Sequence, residues 1–197
     1  QSGFTGRYGR QEIETILRIS ERSDFSPRSS GAGRLFDAVS ALLGICDRNT
    51  FEGEAAIALE SMAAEGIDGE YPYESRSGRG PLQIDFSLTF SGILEDLERG
   101  ADRRVMAAKF HNAVSSSVVA VAERLAAERG IRKVVLSGGV FQNSYLLKRV
   151  EKGLEGQGLS VFTNELVPCN DGGISLGQAY VARERLKAGI LPGDGPA

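Results

Sequence analysis

The chain has 197 residues, 41% of them hydrophobic and 25% charged, which is enough to bury the core of one domain or two small ones. Its formal net charge of −3 and its pI near 5.4 give no electrostatic reason to expect nucleic acid or an anionic membrane as a main partner. No run approaches the ~18 apolar residues of a membrane span, and no charged-then-apolar leader opens the chain, so we expect a cytoplasmic protein.

The start of the chain and its two cysteines lead to two further expectations. The chain begins at Gln1 and turns quickly to helical sequence, so we expect a piece of a longer protein. Cys46 and Cys169 lie far apart without a CxxC partner, which indicates free thiols.

In the first half, helices alternate with loops rich in glycine and serine. Apolar residues that recur at three- and four-residue steps predict helices over residues 8–19, 35–43, 54–64 and 90–97. Residues 20–33 and 66–81 collect Gly, Pro and Ser and are predicted to be loops. Alternating apolar residues predict a short, half-buried strand over residues 82–86.

The second half has the pattern of an α/β protein. A long helix with an apolar stripe is predicted over residues 103–128, and later helices over 146–150 and 174–186. The apolar run 134–136 predicts a strand covered on both faces, and a second strand is predicted at 159–162. This order of helix, strand, glycine loop, helix, strand, glycine loop and helix places ligands at the carboxyl ends of the strands.

The first glycine loop, Ser137-Gly138-Gly139, lies between a strand and a helix, where backbone N–H groups and the helix dipole can meet an anion. It matches neither the Walker pattern nor G-x-G-x-x-G, so the residues allow a structural tight turn or a phosphate loop. Asn143, expected in the first turn of the next helix, is either a helix cap or an amide that reaches a ribose or base.

The second glycine loop places Asp171 before Gly172 and Gly173 at another helix start. Asp171 is either an ordinary N-cap or an oxygen ligand for a cation that faces phosphates bound at the first loop. His111 is the only histidine, which excludes a two-histidine metal site. A packed, hydrogen-bonded core histidine is the favoured interpretation, with a general base as the alternative.

Two earlier segments also place glycines before helices. SSGAGRLFDAV contains Gly33 and Asp37, and FEGEAA contains Gly53 and Glu54. An acidic first turn is the arrangement that the helix dipole favours, so these residues alone need no ligand.

Five blocks in order carry a family resemblance: GRLFDAVSALLGI, FEGEAAIALE, AAKFHNAV, LSGGVFQNSYLL and VPCNDGGISLGQA. From about residue 31 to residue 183 the chain resembles the C-terminal half of the HypF family, the hydrogenase-maturation carbamoyltransferases. It resembles more faintly the transferase that places threonylcarbamoyl on tRNA adenosine.

The resemblance implies an α/β fold, the C-terminal lobe of an actin/Hsp70-like (ASKHA, ribonuclease H-like) fold with a helical insertion. Residues 1–30 would be an N-terminal helix and linker, 31–190 the C-terminal half of the carbamoyl-transfer (Kae1-like) domain, and 191–197 a tail.

The implied activity of the full-length protein starts from carbamoyl phosphate and ATP and proceeds through carbamoyl-adenylate. The carbamoyl group passes to the C-terminal cysteine of a partner protein, HypE, and becomes a cyanide ligand of [NiFe] hydrogenase. The implied ligands are ATP or carbamoyl-adenylate and a divalent metal (Zn, Fe or Mg). Alternatives are an actin-like kinase or ATPase lobe, a relative of the tRNA transferase, and a nucleotide-binding or docking module without activity.

The resemblance also assigns residues. Gly138 and Gly139 match the loop at the nucleotide phosphates, Asn143 an amide near the nucleoside, and Asp171 a metal ligand. Four further residues match blocks that line the nucleotide cleft: Gly33, Asp37, Gly53 and Glu54. The family's metal site also uses a histidine pair that this chain does not contain, so we expect a fragment without the complete metal site.

Overall fold

The computed structural model describes residues 6, 8–27, 29–78 and 80–189. Its helices are α1 (Arg10–Ser20), α2 (Ala32–Leu42), α3 (Glu54–Met62), α4 (Ser87–Glu98), α5 (Arg103–Arg129), α6 (Ser144–Gly156) and α7 (Ile174–Lys187). Its strands are β1 (Glu74–Arg76), β2 (Gln83–Asp85), β3 (Lys133–Leu136) and β4 (Ser160–Thr163). Two single 3₁₀ turns, Gly139–Gln142 and Asp171–Gly173, precede α6 and α7. Every helix predicted from apolar spacing is present, and the predicted tail 191–197 lies outside the described residues.

The core is built around the N-terminal half of α5. The Asp102 side chain caps this helix by accepting a hydrogen bond from Arg104 N, and Gly130 ends it in the left-handed region with φ +66°. Ten α5 residues are buried, all between Met106 and Ser117, where α3, α4 and α6 pack against the helix. By length and composition α5 is apolar enough to cross a membrane, but 56% of that window is buried inside the fold, as in the core helix of a globular protein.

Strands β3 and β4 pair in parallel through the α6 crossover, with Lys133 opposite Ser160 and Leu136 opposite Thr163. The prediction that β3 is covered on both faces is wrong. Leu136 is buried, but Val135, which points to the opposite face, is 70% exposed. Helix α6 covers one face, and no described element covers the other, so this sheet is half-buried.

The predicted loop 66–81 contains a strand that sequence analysis missed. β1 pairs antiparallel with β2, with Glu74 opposite Asp85 and Arg76 opposite Gln83. All three β1 residues are exposed and polar, so the segment carries no apolar alternation. An ion pair between Arg76 and Asp85 at 2.8 Å holds the hairpin instead.

Candidate functional site

A cleft of about 860 Å³ opens between helices α2 and α3 on one side and the two glycine loops on the other. Six of the eight predicted site residues line it: Gly33, Asp37, Gly53, Gly139, Asn143 and Asp171. Gly138, next to Gly139 in the chain, and Glu54 are not part of the lining. Segments that are more than 130 residues apart in the sequence therefore meet at one cavity.

The two glycines of the first loop are needed for different reasons. Gly138 has φ +106° and ψ 156°, a backbone conformation that is open essentially only to glycine. Its N–H donates to the Cys169 carbonyl oxygen at 2.7 Å and so ties the first loop to the second. Gly139 has no such strain, and a Cβ added to it would meet nothing closer than 3.9 Å. The missing side chain of Gly139 therefore keeps the cleft wall open.

Gly139 also begins a turn whose first amides have no intrahelical acceptor. The first hydrogen bond of the 3₁₀ turn runs from Phe141 N to Gly138 O at 3.0 Å, so the N–H groups of Gly139 and Val140 precede it. Both residues line the cleft. Gly138 thus makes a tight turn, and the phosphate-loop interpretation of this segment stays a prediction.

The N-terminus of α6, in contrast, is already occupied. The Glu60 carboxylate, 84 residues earlier in the chain, accepts hydrogen bonds from Ser144 N at 2.7 Å and Tyr145 N at 3.4 Å. The Asn143 side chain accepts from Leu146 N at 2.8 Å. Glu60 therefore already places a negative charge at this helix N-terminus, and binding of an external anion at the first loop stays a prediction.

Asn143 is the N-cap of α6, one residue before the helix and not in its first turn as predicted. It is 8% exposed and lines the cleft. Its Nδ2 lies 2.9 Å from Nε2 of His111, whose Nδ1 lies 2.8 Å from the Ala107 carbonyl oxygen. His111 is fully buried, and burial lowers its pKa to about 4 even though the bond to Ala107 opposes that shift. The prediction of a packed, hydrogen-bonded core histidine is confirmed.

In the second loop Asn170, and not Asp171, is the N-cap. Asn170 accepts a hydrogen bond from Gly172 N at 3.1 Å, while Asp171 is exposed in the first turn and lines the cleft. The diglycine serves packing: a Cβ on Gly173 would lie 2.9 Å from the Pro168 carbonyl oxygen, and one on Gly172 would lie 3.0 Å from Asn170 Oδ1. These two glycines let the loop fold tightly onto the start of α7.

The α2–α3 side of the cleft is fixed by local contacts. Gly53, at φ +79°, begins α3 in the left-handed region. Glu54 turns away from the cleft, since its carboxylate accepts from the backbone N–H and the hydroxyl of Thr50, which lowers its pKa. On α2, Asp37 forms an ion pair with Arg34 at 2.8 Å. Glu54 therefore holds the loop that contains Thr50, while Asp37 lines the cleft.

A metal site is not assembled by the residues that the structure describes. Among them, no group of three or more His, Cys, Asp or Glu side chains could hold an ion. Asp171 offers a single exposed carboxylate at the cleft, and its role as a metal ligand stays a prediction. The two cysteines are free thiols, as expected, and neither belongs to such a group.

Sequence analysis missed several lining residues: Phe51, Ile57, Glu60 and Asn170. Phe51 and Ile57 are 55% and 52% exposed, which is unusual for large apolar side chains on a cavity wall. Ile57 follows the helical apolar spacing of α3, so its periodicity indicated a core residue. No local pattern marks Glu60, because its partners are 84 and 85 residues away.

Comparisons with known proteins place this geometry in a family. Residues 3–178 match the family model described as carbamoyltransferase, Kae1-like domain, second subdomain. The chain is 37% identical over 190 residues to the carbamoyltransferase HypF homolog of Cupriavidus necator, covering 93% of this chain and 48% of that protein. It is 32% identical to the tRNA N6-adenosine threonylcarbamoyltransferase of Sorangium cellulosum, covering 82% of this chain and 46% of that protein.

Solved structures agree. The chain superposes on full-length HypF in its phosphate- and nucleotide-bound form with a TM-score of 0.87 at 41% identity, covering 96% of this chain and 25% of that one. The TM-score with T. kodakarensis HypF is 0.71 at 30% identity, covering 93% of this chain and 24% of that one. The predicted α/β fold of the actin-like class is confirmed. The chain spans about half the length of the Cupriavidus relative and a quarter of the solved proteins, and it belongs to the HypF carbamoyltransferase family, in which it corresponds to the second subdomain of the Kae1-like domain.

Proposed function

We propose that this chain forms the nucleotide-binding wall of a HypF-type carbamoyltransferase and holds ATP or carbamoyl-adenylate in the cleft. The observation that carries the proposal is the convergence of Gly33, Asp37, Gly53, Gly139 and Asn143 on one cavity of about 860 Å³. A volume of this size accommodates a nucleotide. The phosphate- and nucleotide-bound form of the related HypF supports the same ligand class.

Each end of the ligand has a chemically suitable wall. In this proposal the backbone N–H groups of Gly139 and Val140, which precede the first hydrogen bond of the turn and belong to residues that line the cleft, donate to the phosphate. The exposed apolar surfaces of Phe51 and Ile57 suit the faces of an adenine ring. Asn143 also lines the cleft and offers an amide to the nucleoside.

The reaction is acyl transfer from a mixed anhydride to a thiolate. The sulfur attacks the carbamoyl carbon, the bond from that carbon to the phosphate oxygen breaks, and AMP leaves with the electron pair. AMP is a good leaving group, so the protein's contribution is to position the anhydride and to stabilise charge on phosphate with backbone dipoles. The nucleophile is the thiolate of the acceptor protein, no residue of this chain acts as a nucleophile, and no step is assigned to a metal.

The acceptor in this proposal is the C-terminal cysteine of a HypE-type maturation protein, and the product leads to the cyanide ligands of [NiFe] hydrogenase. The full-length protein makes carbamoyl-adenylate from carbamoyl phosphate and ATP and acts in the cytoplasm. The relatives that modify tRNA share the fold, but this chain's net charge of −3 does not favour a polyanionic acceptor.

The test compares Gly139→Ala with Gly78→Ala in the full-length protein. Gly139 lines the cleft, and its added Cβ would make only an ordinary contact with Asn170 Cβ at 3.9 Å, whereas Gly78 is exposed in the hairpin loop and has no atom within 4 Å of an added Cβ. We expect Gly139→Ala to weaken binding of an ATP analogue by roughly tenfold or more, equivalent to ~1.4 kcal/mol, and Gly78→Ala to leave it unchanged. Calorimetry measures the affinity.

Transfer is measured by mass spectrometry as one carbamoyl group added to HypE. Replacing the C-terminal cysteine of HypE by serine is the control for the acceptor atom. Equal affinity in both glycine variants contradicts the assigned phosphate wall. Absence of transfer by the wild-type full-length protein, supplied with carbamoyl phosphate and ATP, contradicts the proposed activity.

A further inference from the structure

The single histidine lies directly beneath the cleft without lining it. Two lining residues contact its ring: Asn143 through the 2.9 Å hydrogen bond to Nε2, and Phe36 through an edge-on ring contact with centroids 5.2 Å apart. Phe110 and Tyr145 enclose the imidazole on other sides, at centroid distances of 5.8 and 5.0 Å. Part of the cleft wall therefore rests on one buried imidazole.

The hydrogen bonds around this imidazole fix its proton. Leu146 N can only donate, so the Asn143 group facing it is the carbonyl oxygen Oδ1, and Nδ2 faces His111. Since Nδ2 donates, Nε2 of His111 must accept and carries no proton. The Ala107 carbonyl can only accept, so Nδ1 of His111 carries the proton and donates to it. Only this tautomer satisfies all three bonds.

We propose that His111 is a positioning residue of the cleft. Its neutral Nδ1–H imidazole holds the Asn143 side chain in a single orientation and leaves the second amide hydrogen of Asn143 for a ligand. This role rests on the proposed nucleotide binding. Without the acceptor at Nε2, the Asn143 amide loses a buried partner and its orientation is held only through Leu146.

Two variants separate positioning from packing. Glutamine at position 111 can present an oxygen near the place of Nε2 and keep the bond to Asn143. Asparagine can present an amide near the place of Nδ1 and keep the bond to Ala107 while removing the acceptor for Asn143. We expect His111→Gln to bind an ATP analogue within about threefold of wild type in the full-length protein. We expect His111→Asn to bind it roughly tenfold more weakly, the effect of one hydrogen bond of ~1–1.5 kcal/mol.

A purely structural histidine predicts a different result, with affinity unchanged or lowered equally in the two variants, and either outcome overturns the proposal.

Nitrogen-15 NMR of the imidazole is the second readout, with the His111 signal assigned by its loss in His111→Gln. A proton on Nδ1 at neutral pH is expected, and a proton on Nε2 overturns the proposal even if the asparagine variant fails to fold. If wild type binds no nucleotide, the proposed function fails together with this role. If wild type binds nucleotide and His111→Asn binds it equally well, the positioning role alone fails.

Discussion

The N-terminal half of α5 and helix α7 both carry large apolar side chains, yet these side chains have opposite environments. Between Met106 and Ser117 the helix buries ten residues. Helix α7 buries none, and its large apolar side chains are more than half exposed: Ile174, Leu176, Tyr180, Val181 and Leu186. Buried apolar contacts therefore stabilise the chain on the α5 side, while α7 exposes several large apolar side chains.

The largest expected difference between these regions comes from truncating one residue in each. Phe110 is fully buried and meets the Phe36 ring edge-on at 5.0 Å. Phe110→Ala should lower the free energy of unfolding by about 3–5 kcal/mol through lost burial and the remaining cavity. Val181→Ala on α7 should change it by less than ~0.5 kcal/mol. Urea unfolding measures both, and a loss above ~1 kcal/mol for Val181→Ala would contradict the comparison.

Lowering the pH should reduce the stability of the α5 side, because the unfolded chain takes up a proton on His111 more readily than the folded chain. The pKa of His111 is about 4 in the folded chain against 6.5 for the free group, so between these values only the unfolded chain takes up this proton. The free energy of unfolding should therefore be highest above pH 6.5 and fall by about 3 kcal/mol as the pH drops through 4. Denaturant midpoints measured across this pH range give the slope. His111→Gln removes the titrating group and should therefore reduce the slope of the unfolding free energy against pH. If the slope is unaltered, other groups cause the effect.

The contact between α5 and α6 tests how tightly the buried side of the fold is packed. A Cβ on Gly153 would lie 2.7 Å from Cγ2 of Val119, a stiff β-branched side chain. Gly153→Ala should therefore cost about 1–3 kcal/mol of unfolding free energy. Gly156→Ala, in the same helix but with nothing within 4 Å, should be neutral or stabilise by up to ~1 kcal/mol. Adding Val119→Ala to Gly153→Ala should recover part of the loss, and no recovery would mean that α6 does not pack as described.

The smallest effect is expected at the cleft. Glu60→Ala removes the carboxylate that caps the backbone of Ser144 and Tyr145 and should lower the free energy of unfolding by about 1 kcal/mol. Glu155→Ala is the matched control, because this exposed carboxylate lies near the other end of α6, where negative charge is unfavourable. Thermal unfolding compares them. A larger loss for Glu155→Ala would argue against the cap.

The sequence allowed the helices to be predicted well, because their apolar periodicity is a local signal. It did not show which apolar surfaces are covered. Val135 and Leu136 are adjacent residues of one apolar run, and only their place relative to α6 makes the first exposed and the second buried. Strand β1 escaped because exposed polar residues on a hairpin carry no alternation.

The candidate site was partly predictable, because some of its residues carry a local signal in the sequence. Glycines mark unusual backbone in the sequence, so the loop at Gly138 was found from its residues, and its positive φ explains its residue type. Glu60 and the partnership of His111 with Asn143 join residues 84 and 32 positions apart, and no local spacing reports such contacts. The assignments of Gly33, Asp37, Gly53 and Glu54 came from family resemblance, and three of these four residues line the cleft.

The hydrogen bond from Ser144 N to Glu60 has a consequence for the order of folding. It closes a loop of 84 residues, whereas β3, α6 and β4 form from a continuous segment of about 30 residues. Closing the longer loop costs more chain entropy, so we expect the α3 wall to join the glycine loops after the β3–α6–β4 unit has formed. On this expectation the cleft is among the last parts of the chain to be completed. A ligand that bridges its two walls binds only the finished fold, and each bound molecule stabilises that fold against its partly assembled forms.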